Sequence, residues 1–116
     1  MARLGHLHVD GRTTGLRIRV ADNWAARAIG LLATPALDDP CGLWLAPCSS
    51  IHMFGMRYEI DVAFVRRDGI IARLVAPLRP WRISACRNSH AVLELRAGLA
   101  RRLHLSVGRH VGLQLC

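Results

Sequence analysis

Apolar and polar residues alternate along several short stretches of the chain, and this alternation predicts β-strands. Leu16 and Ile18, for example, alternate with Arg17 and Arg19, which is typical of a strand with one buried and one solvated face. The same pattern, together with short apolar runs, predicts about seven strands: Leu4–Val9, Thr14–Val20, Leu43–Ala46, Ile60–Arg66, Ile70–Val75, Ala91–Leu95 and His110–Leu115.

Turn residues and helical spacing complete the predicted elements. Asp10-Gly11 and Asp68-Gly69 each separate two predicted strands, so both are expected to close hairpins through turns with positive φ. Apolar residues at helical spacing favour a helix over Asn23–Leu32, and a second short helix is expected at Gly98–Leu103. We therefore expect a mainly β chain, either a β-barrel or a β-sandwich, with one or two short helices.

Length and composition favour one domain, expected to span residues 1–116, because 52% of the residues are apolar. No apolar run approaches the roughly 20 residues that span a bilayer. The first residues lack the apolar stretch of a signal peptide, so we expect a cytoplasmic protein without a membrane partner. The cysteines are expected to be reduced thiols, whose role the sequence leaves open: Cys41, Cys48, Cys86 and Cys116.

The charge raises the question of a nucleic-acid partner. All 16 basic residues are arginines, and the formal net charge is +8. The arginines are scattered, however, and the longest runs are the pairs Arg66-Arg67 and Arg101-Arg102. Three Trp, two Phe and one Tyr offer few rings on which bases could stack. A nucleic-acid-associated barrel is thus a less favoured alternative.

Several sequence blocks occur together in one known family. They are A-R-A-I-G-L-L (Ala26–Leu32), I-H-M-F-G-M-R (Ile51–Arg57), I-D-V-A-F-V with R-D-G-I-I (Ile60–Ile71), V-A-P-L-R-P-W-R (Val75–Arg82), A-V-L-E-L-R-A-G (Ala91–Gly98) and L-S-V-G (Leu105–Gly108). In this order, and from about residue 16 onward, the chain resembles domain-of-unknown-function family 192, a set of small, mainly β bacterial and archaeal domains. The resemblance implies a single barrel-like or sandwich domain and no assigned activity. Family members often carry Thr or Trp at the position of Met53 and Pro at that of Glu59.

The stretch from Ser50 to Val65 is the strongest candidate for a site. A loop that contains His52 and Arg57 leads into an apolar strand interrupted by Asp61. A carboxylate in such a strand requires a partner, because burial of an unpaired charge is costly. We favour a structural role, in which Asp61 accepts hydrogen bonds from Arg57 or from backbone amides. The alternative is a hydrolase-like His52–Asp61 pair, with Cys48 as a nucleophile.

A second loop carries planar cations. Arg79 and Arg82 flank Pro80-Trp81, and such a group suits recognition of carboxylate, phosphate or sugar through paired hydrogen bonds and ring stacking. An equally weighted alternative is that Trp81 covers one end of the barrel while the arginines are solvated.

Three further observations bear on metals and buried acids. Cys48-x3-His52 and Cys86-x3-His90 are thiol–imidazole pairs, but they lie in separate loops and lack the close Cys spacing of zinc knuckles. We expect no metal and no cofactor. Glu94 lies opposite Leu93 and Leu95 on its strand, so a salt bridge on the strand face is favoured over a pocket carboxylate.

These observations favour a binding module, monomeric or weakly dimeric, for a small polar or anionic ligand or a partner segment. Two loops are expected to meet at one end of the barrel and to supply the ligand-binding residues His52, Phe54, Met56, Arg57, Asp61, Arg79, Trp81 and Arg82. An enzyme is the less favoured class, since no oxyanion-stabilising motif accompanies His52, Asp61 and Cys48.

Overall fold

The computed structural model of the chain describes residues 3–21, 42–52 and 58–115. Its first hairpin joins β1 (Arg3–Val9) to β2 (Arg12–Ala21) through Asp10 and Gly11. Both turn residues have positive φ, 49° and 80°, as a two-residue turn matched to the twist of its strands requires. The prediction for this turn is confirmed.

The second hairpin joins β5 (Ile60–Val65) to β6 (Ile71–Leu78) by a different turn. Of the Asp68-Gly69 pair, only Gly69 has a positive φ, 86°. The Gly69 amide donates to the Arg66 carbonyl at 2.9 Å, and the Arg66 amide donates to the Ile70 carbonyl at the same distance. A longer loop that ends in a left-handed glycine accounts for these bonds, so the positive φ predicted for this turn is confirmed, at Gly69 alone of the pair.

The remaining elements complete two sheets and a single short helix among the described residues. They are β3 (Gly42–Leu45), β4 (Ser50–His52), β7 (Ile83–Ala85), β8 (Ala91–Arg96), α1 (Leu99–Arg102) and β9 (Val111–Leu115). The main sheet has seven strands in the order β6-β5-β8-β3-β2-β1-β9, and β2 and β3 pair in parallel. Strands β4 and β7 form a separate two-stranded ribbon.

Buried apolar residues lie on both faces of the main sheet. One group, here called the helix-side cluster, includes two residues of α1 and comprises Leu7, Val9, Ile18, Ala63, Val65, Ile71, Ala91, Leu93, Leu95, Leu99, Ala100, Leu105 and Val111. The other, here called the ribbon-side cluster, comprises Ala21, Leu43, Leu45, Ile60, Val62, Phe64, Leu78 and Val92. Because the central strands β5 and β8 contribute to both clusters, they are buried on both faces.

The architecture is mainly β, as predicted, and it fits a sandwich-like arrangement. A closed barrel is not confirmed, because the edge strands β6 and β9 are not paired along their lengths. Their ends are linked by the isolated bridge between Ile70 and His110 and by a few backbone bonds beside it, such as that from the Val111 amide to the Gly69 carbonyl at 2.9 Å. Nine strands are described instead of about seven. The two unpredicted strands, β4 and β7, have three residues each. The helix predicted at Asn23–Leu32 lies outside the described residues.

Arginines on β2 follow the predicted pattern. Ile18 and Val20 are buried, whereas Arg17 is exposed and Arg19 is half-buried. None of the described helices is long and apolar enough to cross a membrane.

An ion pair ties the first hairpin to the residues that precede β9. Asp10 accepts hydrogen bonds from the His110 amide at 3.0 Å and from Nε of Arg109 at 2.7 Å. The backbone bond from His110 is the main cause, and Arg109 the second, of a lowered pKa of the Asp10 carboxyl. We expect Arg109→Gln to move this pKa part of the way back to its ordinary value, as followed by carboxyl carbon NMR. No movement would contradict the contribution of Arg109; Arg67→Gln, an exposed arginine elsewhere, is the control.

Candidate functional site

The ribbon joins the two stretches in which the sequence placed its candidate site. Strand β4 pairs with β7 in antiparallel register, Ile51 opposite Ser84 and the backbone of His52 opposite Ile83. The Cys86 amide extends the pairing by donating to the Ser49 carbonyl at 2.9 Å. The turn that precedes β7 is thereby held beside the end of β4.

That turn consists of Arg79, Pro80, Trp81 and Arg82. The Arg82 amide donates to the Arg79 carbonyl at 3.3 Å, and Trp81 has a φ of 65°. A fixed φ at proline followed by a positive φ is the pattern of a type II β-turn, in which glycine is the usual third residue. Trp81 is 66% exposed, and both arginines are exposed. The indole therefore projects beyond the core instead of covering it.

Three of the predicted site residues, Phe54, Met56 and Arg57, lie outside the described residues. Of the predicted ligand-binding residues, the ribbon brings together the backbone of His52 and the turn at Arg79–Arg82.

Asp61 lies on the other face of the main sheet. Its neighbours at alternate positions, Ala63 and Val65, belong to the helix-side cluster, and its Oδ2 accepts bonds from the amides of Gly98 and Ala100, each at 2.9 Å. The favoured expectation, that backbone amides satisfy this buried carboxylate, agrees with these contacts. The ribbon, by contrast, packs on the ribbon-side cluster, so the structure separates Asp61 from β4.

Glu94 is a buried acid on the ribbon side of the main sheet. It alternates with Leu93 and Leu95 of the helix-side cluster, and it pairs across the sheet with Leu43 and Val62 of the ribbon-side cluster. Its side chain is 3% exposed. The salt bridge expected for this residue is not formed with any described residue, and its Oε2 has no hydrogen-bond partner among them.

Burial controls the ionisation of this acid. Loss of hydration raises the pKa of the Glu94 carboxyl from its usual 4.5 to about 8. The half-buried Tyr58 lies within its electrostatic reach, because its own pKa is raised first by burial and second by the charge of Glu94. The neutral form of Glu94 is therefore the dominant one at neutral pH.

The Ser84 side chain points from the ribbon toward the face of the main sheet that carries Glu94. Residues that pair directly across an antiparallel ribbon point to the same side, and Ile51, the partner of Ser84, packs against the ribbon-side cluster. Ser84 is 7% exposed, whereas Ile83 and Ala85 on either side are exposed. Its hydroxyl oxygen, like Glu94 Oε2, has no hydrogen-bond partner among the described residues.

The two Cys-x3-His segments lie next to each other, although the sequence places them in separate loops. The Cys48 amide donates to the His90 carbonyl at 2.9 Å, and the half-buried thiols of Cys48 and Cys86 pack against the ribbon-side cluster. Within residues 3–21, 42–52 and 58–115, no group of three or more His, Cys, Asp or Glu side chains could hold a metal ion.

Two features at or near the ribbon offer groups that could bind a ligand. The exposed turn offers two guanidinium groups and an indole, which suit planar anions and sugars. Glu94 on the main sheet and Ser84 on the ribbon offer buried polar atoms in apolar surroundings. The sequence contained a signal for Glu94, an acid between leucines, whereas Ser84 carried none.

The model of a family described as "Uncharacterized ACR", domain-of-unknown-function family 192, matches residues 6–113. A protein of unknown function from Novosphingobium aromaticivorans DSM 12444 is 25% identical, with 94% of this chain and 84% of that chain covered and a TM-score of 0.81. No curated protein matches the chain.

A second solved structure is similar over most of the chain. It is a protein from Sinorhizobium meliloti 1021 whose description proposes a transcription regulator; it is 24% identical, with 97% of this chain and 92% of that chain covered and a TM-score of 0.79. At this identity the similarity shows the fold alone.

Proposed function

We propose that this chain, which belongs to domain-of-unknown-function family 192, is a binding module for a small polar or anionic ligand. The observation that carries the proposal is the pairing of β4 with β7, which holds the turn Arg79–Arg82 beside the end of β4. From their places in the chain, the proposed ligand-binding residues are His52, Phe54, Met56, Arg57, Arg79, Trp81 and Arg82. Asp61 is not among them, because its contacts serve α1 on the other face.

The turn favours an anion for electrostatic and geometric reasons. Arg79 and Arg82 occupy the first and last positions of the turn. The two arginines are therefore close in sequence and lie on either side of the exposed Trp81. A guanidinium group donates paired hydrogen bonds to carboxylate or phosphate, and an indole offers a face for stacking.

The conformation of Trp81 supports a role that is not structural. A side chain other than glycine costs roughly 1–2 kcal/mol in the left-handed region, and residues held there are enriched at ligand-binding sites. Since 66% of Trp81 is exposed, burial offsets only part of this cost.

The hydrolase-like alternative receives less support. It requires an imidazole oriented by Asp61, but Asp61 Oδ2 is used by two backbone amides on the helix side of the main sheet. The ribbon that carries His52 packs on the opposite face.

Thermal-shift measurements with phosphate, citrate, nucleoside monophosphates and glucose test the binding proposal. We expect at least one anion to raise the melting temperature, and Arg79→Ala or Arg82→Ala to weaken that anion's binding about tenfold, since each removes a charge-assisted hydrogen bond. Arg67→Ala removes the same charge from the exposed hairpin turn and serves as the matched control. Equal losses in all three variants would indicate a general charge effect, and no stabilisation by any anion would contradict the proposal.

The strain at Trp81 predicts an unusual order of stabilities. We expect Trp81→Gly to be more stable than Trp81→Ala by about 1 kcal/mol, because only glycine adopts a positive φ without steric cost. Both variants lose the ring and are expected to lose ligand-induced stabilisation. Urea unfolding of the two variants measures the difference; a more stable alanine variant would show that the turn does not impose this conformation in solution.

A further inference from the structure

Two buried polar side chains face the space between the ribbon and the main sheet from opposite layers. Glu94 belongs to the sheet, on the face of Leu43 and Val62, and Ser84 belongs to the ribbon, on the face of Ile51. Both side chains are more than nine-tenths buried. Each carries an oxygen with no hydrogen-bond partner among the described residues.

Buried polar atoms are almost always satisfied, so two unsatisfied atoms in one layer point to a third participant. A neutral amide or a second hydroxyl would complete a structural hydrogen bond at a lower desolvation cost than a carboxyl group. What a carboxyl group adds is the capacity to carry a negative charge.

Among the described residues, Arg19 is a cation on the same face of the main sheet, but it lies two strands from Glu94: it pairs with Leu43, which pairs with Glu94. Strand partners Leu43 and Val62 are apolar, and the described titratable groups that pack on the ribbon-side cluster are the Tyr58 phenol and the Cys48 and Cys86 thiols. None of these groups is positively charged. Desolvation raises the pKa of Glu94, and no arginine or histidine among the described residues, Arg19 included, contributes to this shift.

We propose that the layer between ribbon and sheet is a binding site for the ammonium head of an amine with an apolar body, anchored by the Glu94 carboxylate and the Ser84 hydroxyl oxygen. Both groups accept hydrogen bonds from an ammonium ion, which has three donors. The apolar body of the amine packs against the ribbon-side cluster. This site is separate from the anion site proposed at Arg79–Arg82 and does not depend on it.

Binding of an ammonium ion requires the ionised form of Glu94, and this requirement gives the site a distinctive signature. At neutral pH the carboxyl group is mostly protonated, so each bound amine displaces about one proton to the solvent. Affinity rises roughly tenfold per pH unit until the pH reaches about 8. Entry passes beneath a ribbon of two three-residue strands, and such a ribbon is only marginally stable by itself.

Isothermal titration with benzylamine tests the site, and benzyl alcohol, which has the same ring and no charge, is the matched probe. We expect benzylamine to bind at least tenfold more tightly than benzyl alcohol at pH 8 and to release a proton at pH 7, detected in buffers of different ionisation enthalpy. Glu94→Gln, which preserves side-chain volume, is expected to abolish both the preference and the proton release. Ser84→Ala is expected to weaken benzylamine several-fold and to leave the proton release unchanged.

Three results would overturn the proposal: no binding of benzylamine at millimolar concentration, equal binding of both probes, or a charge preference that persists in Glu94→Gln. Glu59→Gln, which removes a carboxylate from an exposed position near β5, controls for general attraction of amines to acidic groups. A loss in this control equal to that in Glu94→Gln would also overturn it. Because anion binding by Arg79 and Arg82 is measured separately, the two proposals succeed or fail independently.

Discussion

Glu94→Gln is expected to stabilise the protein by several kcal/mol at alkaline pH and by little at acidic pH. The pKa of the Glu94 carboxyl is about 8 in the folded chain, against an ordinary value of 4.5, so the folded chain binds the proton more tightly. Stability therefore falls as the pH rises from about 4.5 to 8, and the loss totals on the order of 5 kcal/mol. A carboxamide does not titrate and avoids this loss.

The measurement is urea unfolding of the parent and the variant from about pH 5 to about pH 9, because the difference between them cancels contributions from other titrating groups. Glu59→Gln is the control: Glu59 is exposed, and its replacement is expected to change stability by less than about 0.5 kcal/mol at any pH. A difference between parent and Glu94→Gln that does not grow with pH would contradict the burial of an unpaired acid.

Asp61→Ala is expected to lower the free energy of unfolding by about 3 kcal/mol. One carboxylate oxygen satisfies the amides of Gly98 and Ala100 at the start of α1, and the side chain is 2% exposed. Alanine leaves both amides without that acceptor inside the fold. Asp61→Asn retains an acceptor oxygen and is expected to lose about half as much.

Asp68→Ala provides the comparison for this second experiment. Asp68 also bonds a backbone amide, that of Ile70 at 3.1 Å, and pairs with Arg66 at 2.7 Å, but both bonds are exposed. Its replacement is expected to cost less than about 1 kcal/mol. Chemical denaturation of both variants measures the difference, and similar losses at the two positions would contradict the importance of burial at Asp61.

The sequence predicted the long strands because alternation is a local property. Strands β1, β2, β5 and β8 each contain enough alternating or apolar residues to identify them without knowledge of their partners. Strands β4 and β7 have three residues each and no alternation that exceeds chance. These two strands are stabilised by their pairing with each other and by packing on the ribbon-side cluster. Both interactions join residues that are distant in sequence.

Parts of the candidate site were beyond prediction for a related reason. The turn at Arg79–Arg82 was recognisable from its proline and its cations. For Glu94, the sequence showed which leucines lie on the other face of the strand, but a solvated face and a face covered by a ribbon have the same pattern. The partners of Asp61 are backbone amides, which leave no mark on the identity of the residues that supply them.

The pairing of β1 with β9 makes completion of the main sheet depend on a strand that is synthesised after the other eight described strands. Gly5 pairs with Leu115 and Leu7 with Leu113, so the outer edge of β1 has no neighbour while the ribosome is still making the intervening chain. An unpaired strand edge is a template for association with other molecules. Chains truncated before β9 are therefore expected to aggregate during expression, whereas chains that include β9 cover that edge.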